Sequence, residues 1–398
     1  MFKVDKIALS KIYQHKLNYL IGSGASSGLF PTLWLELNDS EDGSKKETIE
    51  TLATKLDKGG HKQHHTLLFM YYYKQIIEPV CRFKLEHVDV PHPPPCTGND
   101  DCEGCKNANA RKNVIKNYEI FIDTLIRLMQ QKNDYSKRCN LFTTNYDGCI
   151  PFVADKLFQK GSLAFHVNDG TNGFLQKTLS ARNFNTYLCD AGIFGKHSTD
   201  IPQLNLINLH GSAYWRKNDE SIVVDYSNTE SGIQIPPEAI AWLNELASIL
   251  YDNSKTIDDV LNINVEFSDD VSNAFWDSYD KLPIVNPTKW KFNETVFEEH
   301  YYQMLRLLSY QLEEPNSVLI TFGFSFADEH IEKLVKRSLS NPKLTVFVCC
   351  YDDKEFSVMQ GKFGSEANVT LVHFENDKLD FAKLNEEVIN GDVLREKN

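Results

Sequence analysis

Long apolar runs, an excess of positive charge and internal repetition are all missing from this chain of 398 residues. The longest apolar stretches are strand-sized, too short to cross a bilayer as a helix. The amino terminus, MFKVDKIALSK, has no apolar segment followed by a small-residue cleavage site, so secretion is not expected. Lysine and arginine number 42 against 55 aspartates and glutamates, a net charge of −13. That balance disfavours sequence-independent nucleic-acid binding, which depends on cations displacing counterions from phosphates. The nine cysteines are unevenly spaced, as expected of cytosolic thiols rather than a disulfide framework. The expectation is a cytoplasmic globular protein, with two domains or one α/β domain carrying large insertions.

What the chain does have is strand–helix alternation. LNYLIG (17–22), CNLFTTNYD (139–147) and LNLINLHG (204–211) read as short apolar strands ending in polar or glycine-rich turns. From residue 294 the pattern is regular: helix ETVFEEHYYQMLRLLSYQLEE, strand SVLITFGF, helix DEHIEKLVKRSLS, strand LTVFVCCY, helix DKEFSVMQGKF, strand NVTLVHF. Such alternation predicts a Rossmann-like α/β domain, a doubly wound parallel sheet. The predicted domain comprises residues 1–28, 136–215 and 286–398. A mainly helical insertion is expected over 29–135 and an irregular, partly helical one over 216–285, together a smaller module. In the first insertion, Val114, Ile115, Tyr118, Phe121, Ile122, Leu125 and Leu128 mark one face of an amphipathic helix. In the second, Pro236 and Pro237 suit the start of a helix. The stretch 151–203 reads as loop-rich.

Four segments lie at strand ends, where open α/β sheets bind ligands. Gly22-Ser23-Gly24-Ala25-Ser26 follows the first strand, and glycines there let backbone amides approach a pyrophosphate. Its spacing is not the common dinucleotide fingerprint, and no convincing acid ends a second strand, so an ordinary dehydrogenase is disfavoured. Thr144, Asn145 and Asp147 follow the second strand, and such side chains suit ribose hydroxyls and an amide, or a local turn. His210, followed by Gly211 and Ser212, has a ring suited to proton transfer near neutrality. Gly323-Phe-Ser325-Phe-Ala-Asp328 joins a strand to a helix, which Ser325 or Asp328 would cap and whose amides suit a phosphate or ribose. Separately, Cys96, Cys102 and Cys105, with Cys81 upstream, could supply soft ligands to zinc. A proline-rich surface loop with incidental thiols is the favoured alternative, and no metal is assigned.

Taken in order, the four segments resemble the NAD-contacting motifs of the sirtuin-like, NAD-consuming family. The bacterial branch that hydrolyses NAD in antiphage defence is the nearest match, through Gly-Phe-Ser-Phe-x-Asp and Asn286-Pro-Thr-Lys289. The resemblance implies that Gly22, Ser23, Gly24, Ala25 and Ser26 cradle the NAD phosphates. It implies that Asn145 holds the nicotinamide ribose or a water, that Asp147 holds the carboxamide and that His210 is a general base. Thr144, Ser212, Gly323, Ser325 and Asp352 would complete the nucleotide contacts. The implied activity is an NAD glycohydrolase releasing nicotinamide and ADP-ribose. Implied partners are a second copy of the chain and a HerA-like ATPase, or less readily an Argonaute-type protein.

Two departures bear on the substrate. The zinc ribbon that frames the acyl-lysine groove of sirtuin deacylases needs two cysteine pairs after the histidine, and here only Cys349-Cys350 follow it. The glutamine of the Thr-Gln-Asn motif is Thr144. A protein deacylase or ADP-ribosyltransferase is therefore the second reading, and a non-catalytic NAD- or ADP-ribose-binding scaffold the third.

Overall fold

The computed structural model describes residues 2–4, 7, 12–32, 34–40, 45–88, 103–132, 137–195, 198–218, 221–227, 232–286 and 295–389. The chain divides into two compact units. The first comprises Met1–Leu29, Lys84–His210 and Glu299–Asn398, and the second Phe30–Phe83 and Gly211–Glu298. Residues 84–135, which the sequence pattern grouped with an insertion, thus belong to the unit that holds the sheet.

Eight strands build that sheet: β1 (Phe2–Val4), β2 (Lys16–Ile21), β3 (Arg138–Thr143), β4 (His166–Asn168), β5 (Gln203–Asn208), β6 (Ser317–Phe322), β7 (Thr345–Cys349) and β8 (Val369–Val372). Their order is β1-β8-β7-β6-β2-β3-β5-β4, and all neighbours pair in parallel. From β2 the chain winds outward through β3 and β5, then returns to β6 on the other side of β2 and winds away through β7 and β8. That reversal between β2 and β6 is the topological switch point of a Rossmann-like fold. The doubly wound α/β class read from the alternation is the class observed.

The central strands are almost wholly buried because both faces are covered. One face carries Leu20, Phe142, Ile207 and Leu319. They share a core with Met304 and Leu308 of helix α3 (Thr295–Glu313), Ile331 and Val335 of α4 (Glu329–Ser338) and Met359 of α5 (Asp353–Phe363). On the opposite face Tyr19 meets Phe121 of the long helix α1 (Glu103–Gln130) edge-on, 5.2 Å between centroids, and Phe322 and Phe121 both meet Phe381. Helix α2 (Cys149–Lys160) lies in the stretch expected to be loop. Its buried Ile150, Val153, Ala154 and Leu157 have helical spacing, and Pro151 is harmless in a first turn, where no intrahelical amide is required.

One polar feature interrupts this apolar sheet. Asn18, Asn140 and Asn205 stand side by side on β2, β3 and β5. Asn140 Nδ2 donates to Asn18 Oδ1 and Asn205 Nδ2 to Asn140 Oδ1, each at 2.7 Å. The ladder continues from Asn18 Nδ2 to Ser317 Oγ (2.9 Å) and from Gln203 Nε2 to Asn205 Oδ1 (2.7 Å). Buried amides are costly unless paired, and they pair here only if three strands keep this register.

The second unit is mainly helical. It contains helices Ile49–Lys58, Lys62–Tyr72, Ala239–Leu250, Ile257–Leu261 and Asp269–Tyr279, and the strand pair Trp215–Asn218 and Ser221–Val224. The helix expected at 236–251 starts at Ala239, just after the two prolines. Among the described residues no helix is long and apolar enough to cross a membrane.

Replacing Asn140 by leucine strands Asn18 Oδ1 and Asn205 Nδ2 in the core. At about 1–3 kcal/mol for each unsatisfied group, the variant should lose about 2–6 kcal/mol in urea-induced unfolding of the full chain. A loss under 0.5 kcal/mol would show that the ladder does not hold the register.

Candidate functional site

All strands being parallel, the residues that follow β2, β3, β5, β6 and β7 emerge at one edge of the sheet. The turn after β2 is a 3-10 turn, Ser23–Ser26. It packs directly against the segment after β6. Gly22 N donates to Phe322 O and Gly24 N to Gly323 O, both at 3.0 Å. A Cβ on Gly22 would lie 2.3 Å from Gly323 O, and one on Gly323, where φ is +62°, would lie 2.5 Å from Ala25 N. The glycines are thus required by backbone-to-backbone contact at the switch point. The Gly22 and Gly24 amides, expected to face a phosphate, are engaged within the protein, and Ala25 N bonds Gly22 O at 3.1 Å. Ser23 and Gly24 are exposed.

Ser26 is the centre of a buried polar cluster. Its hydroxyl lies 2.8 Å from the Tyr118 hydroxyl and donates to Asp147 Oδ2 at 2.7 Å, and Asn145 Nδ2 approaches it at 3.3 Å. Asp147 Oδ1 accepts from Cys149 N (3.0 Å), tying the carboxylate to the start of α2. Burial pushes the Asp147 carboxyl above its ordinary range, against the bonds from Ser26 and Cys149 that favour its charge. Burial likewise raises the Tyr118 hydroxyl and the Cys149 thiol.

Asn145 is 92% buried, being 8% exposed. Its backbone amide donates to Thr143 Oγ1 (3.0 Å), and its carbonyl accepts from Asn208 Nδ2 (3.4 Å). Its side-chain oxygen, Oδ1, is buried with no hydrogen-bond partner among the described residues. With Nδ2 turned to Ser26, the amide presents an acceptor and lacks a donor to fill it.

On the neighbouring strand, β5 pairs Asn208 with Thr143, so Asn145 and His210 each lie two residues beyond a matched pair. His210 Nε2 is 2.8 Å from Asp328 Oδ2, with the two side chains 16% and 17% exposed. Asp328 also caps α4 through Oδ1, accepting from His330 N (2.8 Å) and Ile331 N (3.0 Å). Burial opposes charge on Asp328, but the His210 bond and the two amides hold its carboxyl below the usual range. The segment that delivers it turns through Phe326 at φ +53°. That left-handed residue is held by its ring against Phe324 and Phe363 (4.9 Å each) and by Lys362 Nζ on its carbonyl (2.7 Å).

The other predicted residues fall as follows. Thr144 N donates to Ile21 O (3.2 Å). Ser325 is exposed and does not cap α4, a role that Asp328 takes. Asp352 caps α5, accepting from Lys354 N (3.0 Å) and Glu355 N (2.9 Å). Ser212 belongs to the second unit, where its hydroxyl accepts from Tyr214 N at 3.3 Å. Cys81 also lies in that unit, a buried thiol pushed up to about 11 by burial. Cys96, Cys102 and the Cys105 side chain lie outside the described residues, as do Pro287, Thr288 and Lys289. Among the described residues no group of three or more potential ligands is arranged around a metal position.

Sequence reasoning did not assign Tyr118 or the Asp328–His210 pair to the site. Tyr118 carries the same periodic signal as its core neighbours, and only its hydroxyl sets it apart. An open depression of ≈ 350 Å³ lies at the opposite, amino edge, lined by Gln130, Lys137, Asp190 and Pro202 among others. It contains none of the four motifs and no histidine, so the carboxyl edge is the candidate site. No family model matches the chain, and no curated protein matches it.

Because Asp147 is raised in the folded chain, its contribution to stability is full below the unfolded-state carboxylate pKa and is lost as pH rises through the folded value. Asp147→Asn should therefore gain stability relative to the parent between pH 4 and pH 8, read by denaturant unfolding at both pH values. A difference that is flat with pH would contradict the buried, raised carboxyl.

Proposed function

We propose that this chain hydrolyses NAD at the nicotinamide–ribose bond, giving nicotinamide and ADP-ribose. The observation that carries the reading is the unpartnered Oδ1 of Asn145, buried at a strand end adjacent to the one that bears His210. A buried acceptor left open is costly, and a ribose hydroxyl or a water supplies the donor it lacks. His210, tied to a carboxylate, is a base suited to take the proton from that hydroxyl or water.

The reaction balances without a further reactant. The C1′–N bond breaks with its electron pair moving to the nicotinamide ring, which leaves neutral. Water adds through its oxygen to C1′, and its proton passes by way of His210 to solvent. Positive charge develops on the ribose as the bond breaks, so an oriented carbonyl oxygen nearby is electrostatically favourable. The Asn145 oxygen can serve in that way because Ser26 engages the nitrogen end of the amide. Ser26 is itself held by Tyr118 and Asp147.

The internal bonds of Gly22 and Gly24 bear on the second reading, a scaffold that binds the nucleotide without turnover. They remove two amides from any phosphate cradle, leaving the exposed outer surface of Ser23 and Gly24 as the part of the turn open to a ligand. A homo-oligomer and a HerA-like ATPase partner are proposed on the sirtuin-like resemblance.

The test is chromatography of NAD incubated with the purified chain, alone and with an added HerA-like ATPase. Nicotinamide and ADP-ribose should appear in equal amounts, and Asn145→Ala should lower the rate by about 10²-fold or more. Nucleotide binding with no product under either condition would favour the scaffold.

A further inference from the structure

The His210–Asp328 contact fixes more than the position of a side chain. Asp328 Oδ1 accepts two helix amides, which locks the carboxylate, and its other oxygen lies 2.8 Å from His210 Nε2. A carboxylate held below its usual range can only accept, so Nε2 must be the nitrogen that carries hydrogen. No hydrogen bond to Nδ1 is found among the described residues. The neutral ring then has its lone pair on Nδ1.

We infer that Asp328 is a positioning residue which holds His210 as the Nε2–H tautomer, so that Nδ1 is the atom that takes the proton. This rests on the NAD-hydrolase reading for its substrate but not for its geometry. Asp328 reaches His210 from the segment after β6, although β2 and β3 stand between β6 and β5 in the sheet. The pair therefore bridges four strand ends. One carboxylate caps a helix with one oxygen and orients the base with the other, so the helix start and the ring cannot shift independently. During turnover the proton moves from water or a ribose hydroxyl to Nδ1, leaving an imidazolium whose charge Asp328 balances. Loss of that proton to solvent restores the ring.

Asp328→Asn separates this role from capping, since asparagine caps a helix as well as aspartate does. Its amide nitrogen, turned to Nε2, would donate there and move the ring hydrogen to Nδ1. Where a carboxylate holds a catalytic histidine, the same exchange costs about 10⁴ in kcat by imposing the wrong tautomer. The expected result is a loss of about 10²–10⁴ in kcat, with NAD affinity by calorimetry within about twofold of the parent.

The second measurement needs no substrate. In ¹⁵N spectra of histidine-labelled full-length chain, the His210 signal, assigned with His210→Gln, should show a bare Nδ1 and a protonated Nε2. Asp328→Asn should reverse the two. A parent ring protonated at Nδ1, or a pattern unchanged in Asp328→Asn, overturns the tautomer assignment. Undiminished kcat in Asp328→Asn overturns the positioning role. If the parent leaves NAD intact, the hydrolase reading fails while the ¹⁵N pattern still decides the inference. Asp328→Ser, which keeps a cap but cannot reach Nε2 in the same way, guards against loss of fold: it should unfold at a denaturant concentration close to that of Asp328→Asn.

Discussion

The contact on which the candidate site depends is one of backbone against backbone. At the switch point the turn after β2 and the segment after β6 touch through Gly22, Gly24 and Gly323, with no side chain between them. This close approach places two consequences on the same edge. The turn carries Ser26 inward to meet Tyr118, Asp147 and Asn145, and the other segment runs on to place Asp328 against His210. A side chain at Gly22 or Gly323 would push the two loops apart. Glycines that a motif reading assigns to ligand approach are here first a packing requirement, and the two uses compete for the same amides.

Polar groups in this interior occur in two layers with different fates. The asparagine ladder across β2, β3 and β5 runs amide to amide and ends at Gln203, whose Oε1 is buried with no partner among the described residues; its work is to fix register. The cluster at the carboxyl edge is also dense, and it too ends in an acceptor without a donor among the described residues, Asn145 Oδ1, here beside the strand end that bears His210. Its carboxylate is held above its ordinary range by burial, whereas Asp328, equally a strand-end aspartate, is held below by its ring and amide partners. Two acids at one edge are pushed in opposite directions by environment alone, one by burial and the other by its hydrogen-bond partners.

Much of this was readable from the chain. Six of the eight strands produce apolar runs bounded by glycine or polar residues; β1 and β4, three residues each, are too short to show a period. Helix α2 was hidden by Pro151 and by the polar turns around it. The candidate residues were legible as strand-end motifs because a parallel sheet sends every such end to the same edge. Tyr118 was not, since its helical spacing is that of a core residue and nothing local reveals a polar partner 92 residues away.

The sequence by itself determined the alternation of strand and helix, the glycine turn and the identity of the strand-end side chains, because these follow from local periodicity and backbone freedom. Only the tertiary structure decided which of those groups are engaged and which are open. Hydrogen-bond partners at this edge come from residues 118 positions apart for His210 and Asp328 and 121 for Ser26 and Asp147, and their pairing is set by strand order. Whether an amide faces a ligand or a neighbouring carbonyl depends on how closely two loops distant in sequence approach each other, which no local pattern encodes.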